Sequence, residues 1–453
     1  MRNSCFRRVR GRGLSIFILR PRRTKLAPKV SSVNSGGRSS APTTKHVWIV
    51  NHHAVLPSKD GGRARHFNLA KCLPECGWTS SLIVASTRHS DGRQALEGLK
   101  LKKRDNEEGV ETLWVRTNAY GQSLALRFLG MVVFSANLLR PGITRDLQRP
   151  DVVLGSTVHP FAAWAAFCLA RRNEVPFVYE IRDVWPESLH DIAGISKRHP
   201  ISILMTLMDS FLIRRASLVV SPLPNANLHL REMGFPDKPF LWVSNGTEVP
   251  PGTDELADCP GRPFTYMYLG AHGRANDLEH ILAGFERACE IDPESPPLLR
   301  LVGDGSRKRA LAEQAASLKC AARISFEDRI PKSQVLARAR EADCLVASVP
   351  EKAIYRFGVS PNKYFMYMSA SRPVITASNA PKDPIRDSRA GLAVAGEDVE
   401  ALARAMVKMK NLPLRDRREF ARNGRAEIEA RYTFGVLAKK LAKGLEAASA
   451  HSL

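Results

Sequence analysis

The loop Gly358-Val-Ser-Pro-Asn-Lys363, set before the apolar run Tyr364-Phe-Met-Tyr-Met368, has the residue types of an anion cradle. Gly358 lets the backbone approach a ligand closely, Ser360 is of the type that accepts a hydrogen bond from the first free amides of a helix, and Pro361 supplies the φ of a first helical turn. A helix begun there points unpaired N–H groups and a partial positive charge over the loop, so a phosphate or diphosphate is the natural occupant. The alternative is an ordinary helix start after a loop. His159 follows Asp151-Val-Val-Leu-Gly-Ser156 and precedes the apolar segment 162–170. It stands where open α/β sheets keep ligands, or else it caps the following helix. Glu180, Arg182, Asp183, Trp185 and Glu187 crowd charge around a tryptophan after the next strand-like run, which suits polyhydroxyl or phosphate groups. Asp60-Gly61-Gly62-Arg-Ala-Arg65-His66 joins a strand-like to a helix-like segment, the order of a phosphate or sugar cradle. It lacks both the G-x-G-x-x-G spacing and a G-K-[ST] ending.

These residues need strand ends to hold them. Short apolar runs at 46–51, 81–85, 151–154, 176–182, 218–221 and 240–244 alternate with helix-like segments, the pattern of a doubly wound parallel sheet. After the loop-rich stretch around Pro250-Pro-Gly252 and Cys259-Pro-Gly-Arg-Pro263, a second series runs through 264–270, 298–305, 324–329 and 344–348. The chain is read as an α/β protein with a first Rossmann-like domain at 45–243 and a second at 244–432. A C-terminal helix at 433–453 is expected to pack back on the first domain. Two such halves facing each other form a cleft for one nucleotide ligand and one second substrate.

Composition agrees with an enzyme of two α/β domains: 453 residues, 44% hydrophobic, with glycine and proline spread throughout. A net charge of +23 favours an anionic partner, whether nucleic acid, nucleotide or an acidic membrane surface. No recognised nucleic-acid module accompanies it, and nucleic acid is not expected as a partner. The eight cysteines form no C-x-x-C pair, so neither a zinc site nor a disulfide framework is indicated, and reduced cytoplasmic thiols are expected. Residues 1–44 hold eleven basic and no acidic side chains and read as a disordered basic tail. The longest apolar stretch, Leu124 to Leu139, is interrupted by Arg127 and Asn137 and is too short for a secure membrane span. It reads as an amphipathic helix, either buried or facing a membrane.

Several segments in order carry a resemblance: 51–66, Gly155-Ser-Thr-Val-His-Pro160, Glu180-Ile-Arg-Asp-Val-Trp-Pro186, Leu223-Pro-Asn225, Ser244-Asn-Gly246, Gly270-Ala-His-Gly273, Gly303-Asp-Gly305 and Phe357-Gly-Val-Ser-Pro-Asn-Lys363. Together they resemble a family 4 retaining glycosyltransferase, closest to the WbuB-like enzymes of bacterial polysaccharide assembly. The resemblance implies a GT-B fold, no cofactor and no required metal. It implies a nucleotide diphospho-sugar donor (UDP-sugar favoured) and a glycan or lipid-linked acceptor, and the net charge adds an anionic membrane surface as a further partner. With the thiols and the charge, the expected place is the cytoplasm, peripheral at the inner face of the cell membrane. His159, Lys363 and Arg274 are then expected at the reaction centre, with His159 beside the transferred sugar and the cations beside the leaving diphosphate. Gly61, Gly62, Gly270, Gly358, Val359, Ser360, Asn362, Met366, Asp328 and Arg329 are expected on the donor side. Arg65, His66, Glu180, Arg182, Asp183 and Trp185 are expected on the acceptor side. The family's Glu-x7-Glu pair is absent: its places are Gly358 and Met366. A methionine accepts no ribose hydrogen bond as a carboxylate does, so Glu351 or another group substitutes, donor affinity is reduced, or the chain is a catalytically weak paralogue.

Overall fold

The computed structural model describes residues 44–60, 64–88, 91–121, 123–157, 159–188, 194–249, 252, 256–257 and 261–450. The basic tail up to residue 43, and Gly61 and Gly62, lie outside the described residues. The first sheet contains β1 (Lys45–Val50), β2 (Trp78–Ala85), β3 (Lys102–Glu107), β4 (Val110–Val115), β5 (Val152–Ser156), β6 (Phe177–Glu180), β7 (Leu218–Ser221) and β8 (Phe240–Trp242). Their order is β3-β4-β2-β1-β5-β6-β7-β8, parallel except for the β3/β4 pair. The second sheet contains β9 (Thr265–Leu269), β10 (Leu298–Val302), β11 (Ile324–Glu327), β12 (Cys344–Ser348), β13 (Val374–Ala377) and β14 (Gly391–Val394). Its order is β11-β10-β9-β12-β13-β14, parallel throughout.

Continuous apolar strands follow from burial on both faces of each sheet. Within β1, Val47 and Ile49 enter one core and Trp48 and Val50 the other, as the two-residue period of a strand requires. In β9, Tyr266 and Tyr268 go to one side and Met267 and Leu269 to the other. Each such side chain stabilises the fold by about 1.5–3 kcal/mol on burial. The β3/β4 hairpin was not expected from the sequence. Its edge strand, Lys-Lys-Arg-Asp-Asn-Glu, carries no apolar residue and blunts the sheet edge with charge.

Three attachments join the two halves and the segment between them. The last helix, Phe434–Ala450, sends Phe434, Leu437, Leu441 and Leu445 into the core beneath Val47, Leu154 and Val178 of the first sheet. Its Glu446 pairs with Lys45 at 2.6 Å. The Thr247 amide donates to the Tyr432 carbonyl at 3.0 Å, and a side chain at Gly246 would collide with that carbonyl. The turn Ala353–Phe357 of the second half plants Ile354 and Phe357 in the first domain's core, where Asn225 N–H donates to the Phe357 carbonyl at 3.0 Å.

Candidate functional site

In both sheets the strand order reverses beside the first strand, at β1/β5 and at β9/β12. Such switch points open a crevice at the strands' carboxyl ends. The first crevice holds a histidine group. His52 and His53 follow β1, and His159 follows β5 as N-cap of the helix Pro160–Asn173. All three are buried. His159 Nδ1 accepts from the Ala162 amide at 3.3 Å, and its Nε2 lies 2.8 Å from His52 Nδ1. Burial, with the Arg127 charge adding to it, lowers the His159 pKa to about 3, so the ring is neutral. A neutral ring that accepts at Nδ1 carries its proton on Nε2, which therefore donates to His52. The two sequence readings of His159 thus resolve toward the cap, and both ring nitrogens are engaged within the protein.

The second crevice is built by the loop that runs from Gly358 to Lys363. The helix Asn362–Ser369 starts one residue later than expected: Pro361 is its N-cap and no side chain caps it. Ser360 is turned elsewhere, accepting from the Asn245 amide at 3.0 Å while the Asn245 side chain donates to the Ser360 carbonyl at 2.7 Å. The expected capping role is therefore replaced by a tie between the halves. Gly358 adopts φ +92°, and a side chain there would strike the Pro224 ring, so the position excludes other residues on two grounds. Lys363, half-buried, donates to Tyr268 Oη at 3.1 Å and to Asn276 Oδ1, with its ammonium 4.6 Å from the Tyr268 ring centre. Burial lowers its pKa to about 7. Among the described residues no carboxylate lies within ion-pair distance of it, and both hydrogen-bond partners are uncharged.

Two cavities open at the strand ends of the second domain, and one of them is lined by this lysine's loop. One of about 250 Å³ lies between the halves, taking Arg182, Asp183 and Leu223 from the first and Asn276, Ser348, Gly358, Val359, Ser360 and Lys363 from the second. The other, of about 430 Å³, lies over the ends of β9 and β10 and is lined by Gly270, Ala271, Gly303, Asp304, Arg329 and Lys332 among others. His272 sits behind its glycine wall, fully buried, with neither ring nitrogen hydrogen-bonded. Of the expected donor-side residues, Asn362 is exposed at the helix start and Met366 packs partly buried against the second core. Asp328 reaches Lys308 at 2.7 Å with its carboxylate in solvent. Glu351, considered as a substitute for the missing carboxylate, accepts from Asn379 at 3.1 Å and lines neither cavity. Arg274 is exposed in the short turn Arg274–Asn276 and lines neither cavity; of that turn it is Asn276 that meets Lys363.

The expected acceptor-side residues divide. Arg182 and Asp183 face the cleft. Arg65, His66 and Glu180 instead satisfy one another in the interior: Arg65 Nε reaches Glu180 at 2.9 Å, His66 Nε2 reaches its other oxygen at 2.5 Å, and Arg65 also donates to the Ser244 carbonyl. Burial opposes the Glu180 charge, yet His66 and Arg65 outweigh it and hold the carboxyl well below its ordinary range. These three brace the first domain against the interdomain segment rather than facing a glycan. Trp185, joined to Pro186 by a cis peptide bond, keeps its indole N–H buried without a partner. No metal-ligand cluster is evident from residue spacing, but the fold gathers Glu187, His229 and Glu232. His229 is held by Asp209 at 2.7 Å and Glu232 by Arg356 at 2.9 Å. Sequence reasoning missed His52, Tyr268, Asn276 and Lys332. The rule that singled out His159, a polar residue just past a strand end, applies equally to His52.

Two facing Rossmann-like α/β domains with crevices at their switch points define the GT-B fold. Residues 60–246 match the family described as Glycosyl transferase 4-like domain, and residues 264–411 match Glycosyl transferases group 1. The chain belongs to these glycosyltransferase families. It is 25% identical over 253 residues to the probable glycosyltransferase WbjE of Pseudomonas aeruginosa, a match spanning 54% of this chain and 61% of that protein. Among solved structures it is similar to sucrose-phosphate synthase of Thermosynechococcus elongatus, with a TM-score of 0.67, 14% identity, and coverage of 89% of this chain and 98% of the other. It is also similar to Anabaena Alr3699/HepE in complex with UDP and glucose, with a TM-score of 0.59, 13% identity, and coverage of 89% and 99%. At these identities the structural likeness speaks to the fold.

Proposed function

We propose that the protein transfers a sugar from a nucleotide diphospho-sugar, a UDP-sugar above all, to a lipid-linked or polysaccharide acceptor with retention at the anomeric carbon. The observation that carries this reading is Lys363: a half-buried amine with no carboxylate partner among the described residues, at the start of a helix, facing Arg182 across the cleft. In the transfer the bond from the anomeric carbon to the diphosphate oxygen breaks, a bond to the acceptor oxygen forms, and the acceptor's proton passes to the departing diphosphate. The developing charge falls to Lys363, Arg182 and the amides of Asn362 and Lys363, fixed groups that need no reorganisation as the bond breaks. The cavity bounded by Gly270, Gly303 and Arg329 takes the nucleoside. The relative solved with UDP and glucose supports that donor class. His159, neutral with its one proton on Nε2, positions His52 on the first wall and passes no proton to the substrate.

A second reading, a nucleotide-sugar-binding paralogue of weak activity, is favoured by one observation. The helix 362–369 has no carboxylate, and Glu351, the nearest substitute by sequence, is tied to Asn379. Calorimetry with UDP- and GDP-sugars, together with release of free nucleotide from each, separates the readings. Binding with hydrolysis or transfer supports the enzyme, and binding alone supports the paralogue. Absence of binding by any activated sugar overturns both.

A further inference from the structure

Eleven large apolar side chains are exposed among the described residues, and eight of them gather on three helices of the first domain. Leu126, Phe128, Leu129 and Val132 lie on the helix Leu124–Leu138. Trp164 lies on Pro160–Asn173, and Ile203, Leu204 and Leu207 on Pro200–Arg215, with Leu207 64% exposed. The helices pack side by side in that order. Phe128 meets Phe161 edge-on at 5.6 Å, and an apolar depression of about 430 Å³ opens between Trp164, Leu207 and Phe211. The surface is therefore continuous, and it reaches the cleft, because the Phe161 ring lies 6.0 Å from that of His159.

Its charge selects the partner. The three helices contain one acidic residue, Asp209, and that one is buried against Tyr179 and His229. Lys197 and Arg198 are exposed just before the helix Pro200–Arg215, and Arg171, Arg172, Arg214 and Arg215 are exposed in the last turns of their two helices, so basic side chains stand at the ends of the elements that carry the apolar ones. A protein partner would meet six like charges, whereas an anionic bilayer offers acyl chains to the centre and phosphates to the rim. No helix among the described residues is long and apolar enough to cross a membrane, so contact lies along the surface. We propose that this face of the first domain docks on an anionic lipid bilayer, with the helix 124–138 resting its exposed side at the headgroup level. This extends the proposed reaction, since an acceptor carried in the bilayer then meets the cleft from the His159 side. The docking itself does not depend on that reaction.

The test is co-sedimentation of the full chain with vesicles of phosphatidylcholine alone and of phosphatidylcholine with phosphatidylglycerol. Binding is expected with the mixed vesicles, weakened by salt, and lowered about tenfold by Leu129→Glu with Leu207→Glu. The basic residues 1–44 are common to both proteins, so the difference reports the face. Circular dichroism and nucleotide-sugar calorimetry on the variant show whether its fold and donor site persist, which separates failure of docking from failure of the reaction. Should that variant unfold, the exposed pair Lys197→Glu with Arg198→Glu is expected to lower binding to the mixed vesicles alone. Equal binding of a folded variant and the parent overturns the proposal. So does a lipid-free dimer of the parent that the same substitutions dissociate, since a second copy would then cover the face.

Discussion

Replacing Lys363 with methionine removes the ammonium while keeping most of the side chain's volume, and two independent signatures follow. The amine is lowered to about 7 by burial, so in the free protein near neutral pH about half the molecules are uncharged there. A bound diphosphate restores the charge, and linkage then makes donor affinity depend on the proton. Affinity is highest below the free pKa and falls about tenfold per unit once the pH rises above it. Between about pH 6.5 and about pH 8.5 the charged fraction drops roughly 25-fold, and the association constant is expected to drop with it. A UDP-sugar is the right ligand, because its diphosphate is esterified at both ends and does not itself titrate in this range. In Lys363→Met the slope should vanish, and affinity at the acid end should fall by about 2 kcal/mol, roughly thirtyfold. Stability moves the other way. Protonating the buried amine costs the folded state below its folded pKa, a cost relieved as pH rises toward the ordinary lysine value, so the variant's Tm near neutrality should equal or exceed the parent's. Titration calorimetry across the pH range, with a thermal melt at each point, reads both. A parent without the slope, or a variant that keeps it, means that the nucleotide does not sit over this helix.

Glu180→Gln leaves Arg65 and His66 buried without their anion and should cost about 3–5 kcal/mol, read as a lower Tm. Because the folded Glu180 carboxyl lies below its ordinary range, the parent's advantage is complete above that range and shrinks as acid lowers the pH through the folded value. His159→Ala should reduce turnover more than donor affinity, since it unseats His52 without touching the diphosphate, and a variant with normal turnover would remove the histidine pair from the mechanism. Met366→Asp restores a carboxylate on the helix 362–369 and should tighten UDP-sugar binding in calorimetry; unchanged affinity would mean that Met366 does not face the ribose. Activity should persist in excess chelator, and loss that a divalent ion restores would show that Lys363 and the helix amides do not by themselves stabilise the leaving diphosphate.

Strand positions were legible because parallel strands buried on both faces write themselves as apolar runs, as Val47-Trp-Ile-Val50 and Tyr266-Met-Tyr-Leu269 do. The edge hairpin was not, since its outer strand faces solvent and its residues read as a charged loop. The candidate site was legible where one short segment contains the whole signal, as in Gly358 to Lys363. It failed where a side chain's partner is distant in sequence. Arg65 and Glu180 stand 115 positions apart, and nothing local distinguishes a carboxylate that meets a ligand from one already met by a buried guanidinium.

Ser360 shows the same distance effect at the candidate site. A serine before Pro-Asn-Lys is the residue type of a helix cap, yet its oxygen is taken by the amide of Asn245, 115 positions earlier and in the segment that leaves the first domain. The helix amides that a cap would have occupied are thereby left for a ligand. The loop that presents them is bound to the first domain through Asn245, through the Gly358 contact with Pro224, and through Phe357 in the first core. Lys363 and Arg182 belong to different domains and line one cavity, so the proposed approach of both to one diphosphate depends on that attachment. A cleft whose cations come from two walls gains most from being joined at the loop where the charge develops, and in this chain a side chain diverted from capping makes the joint.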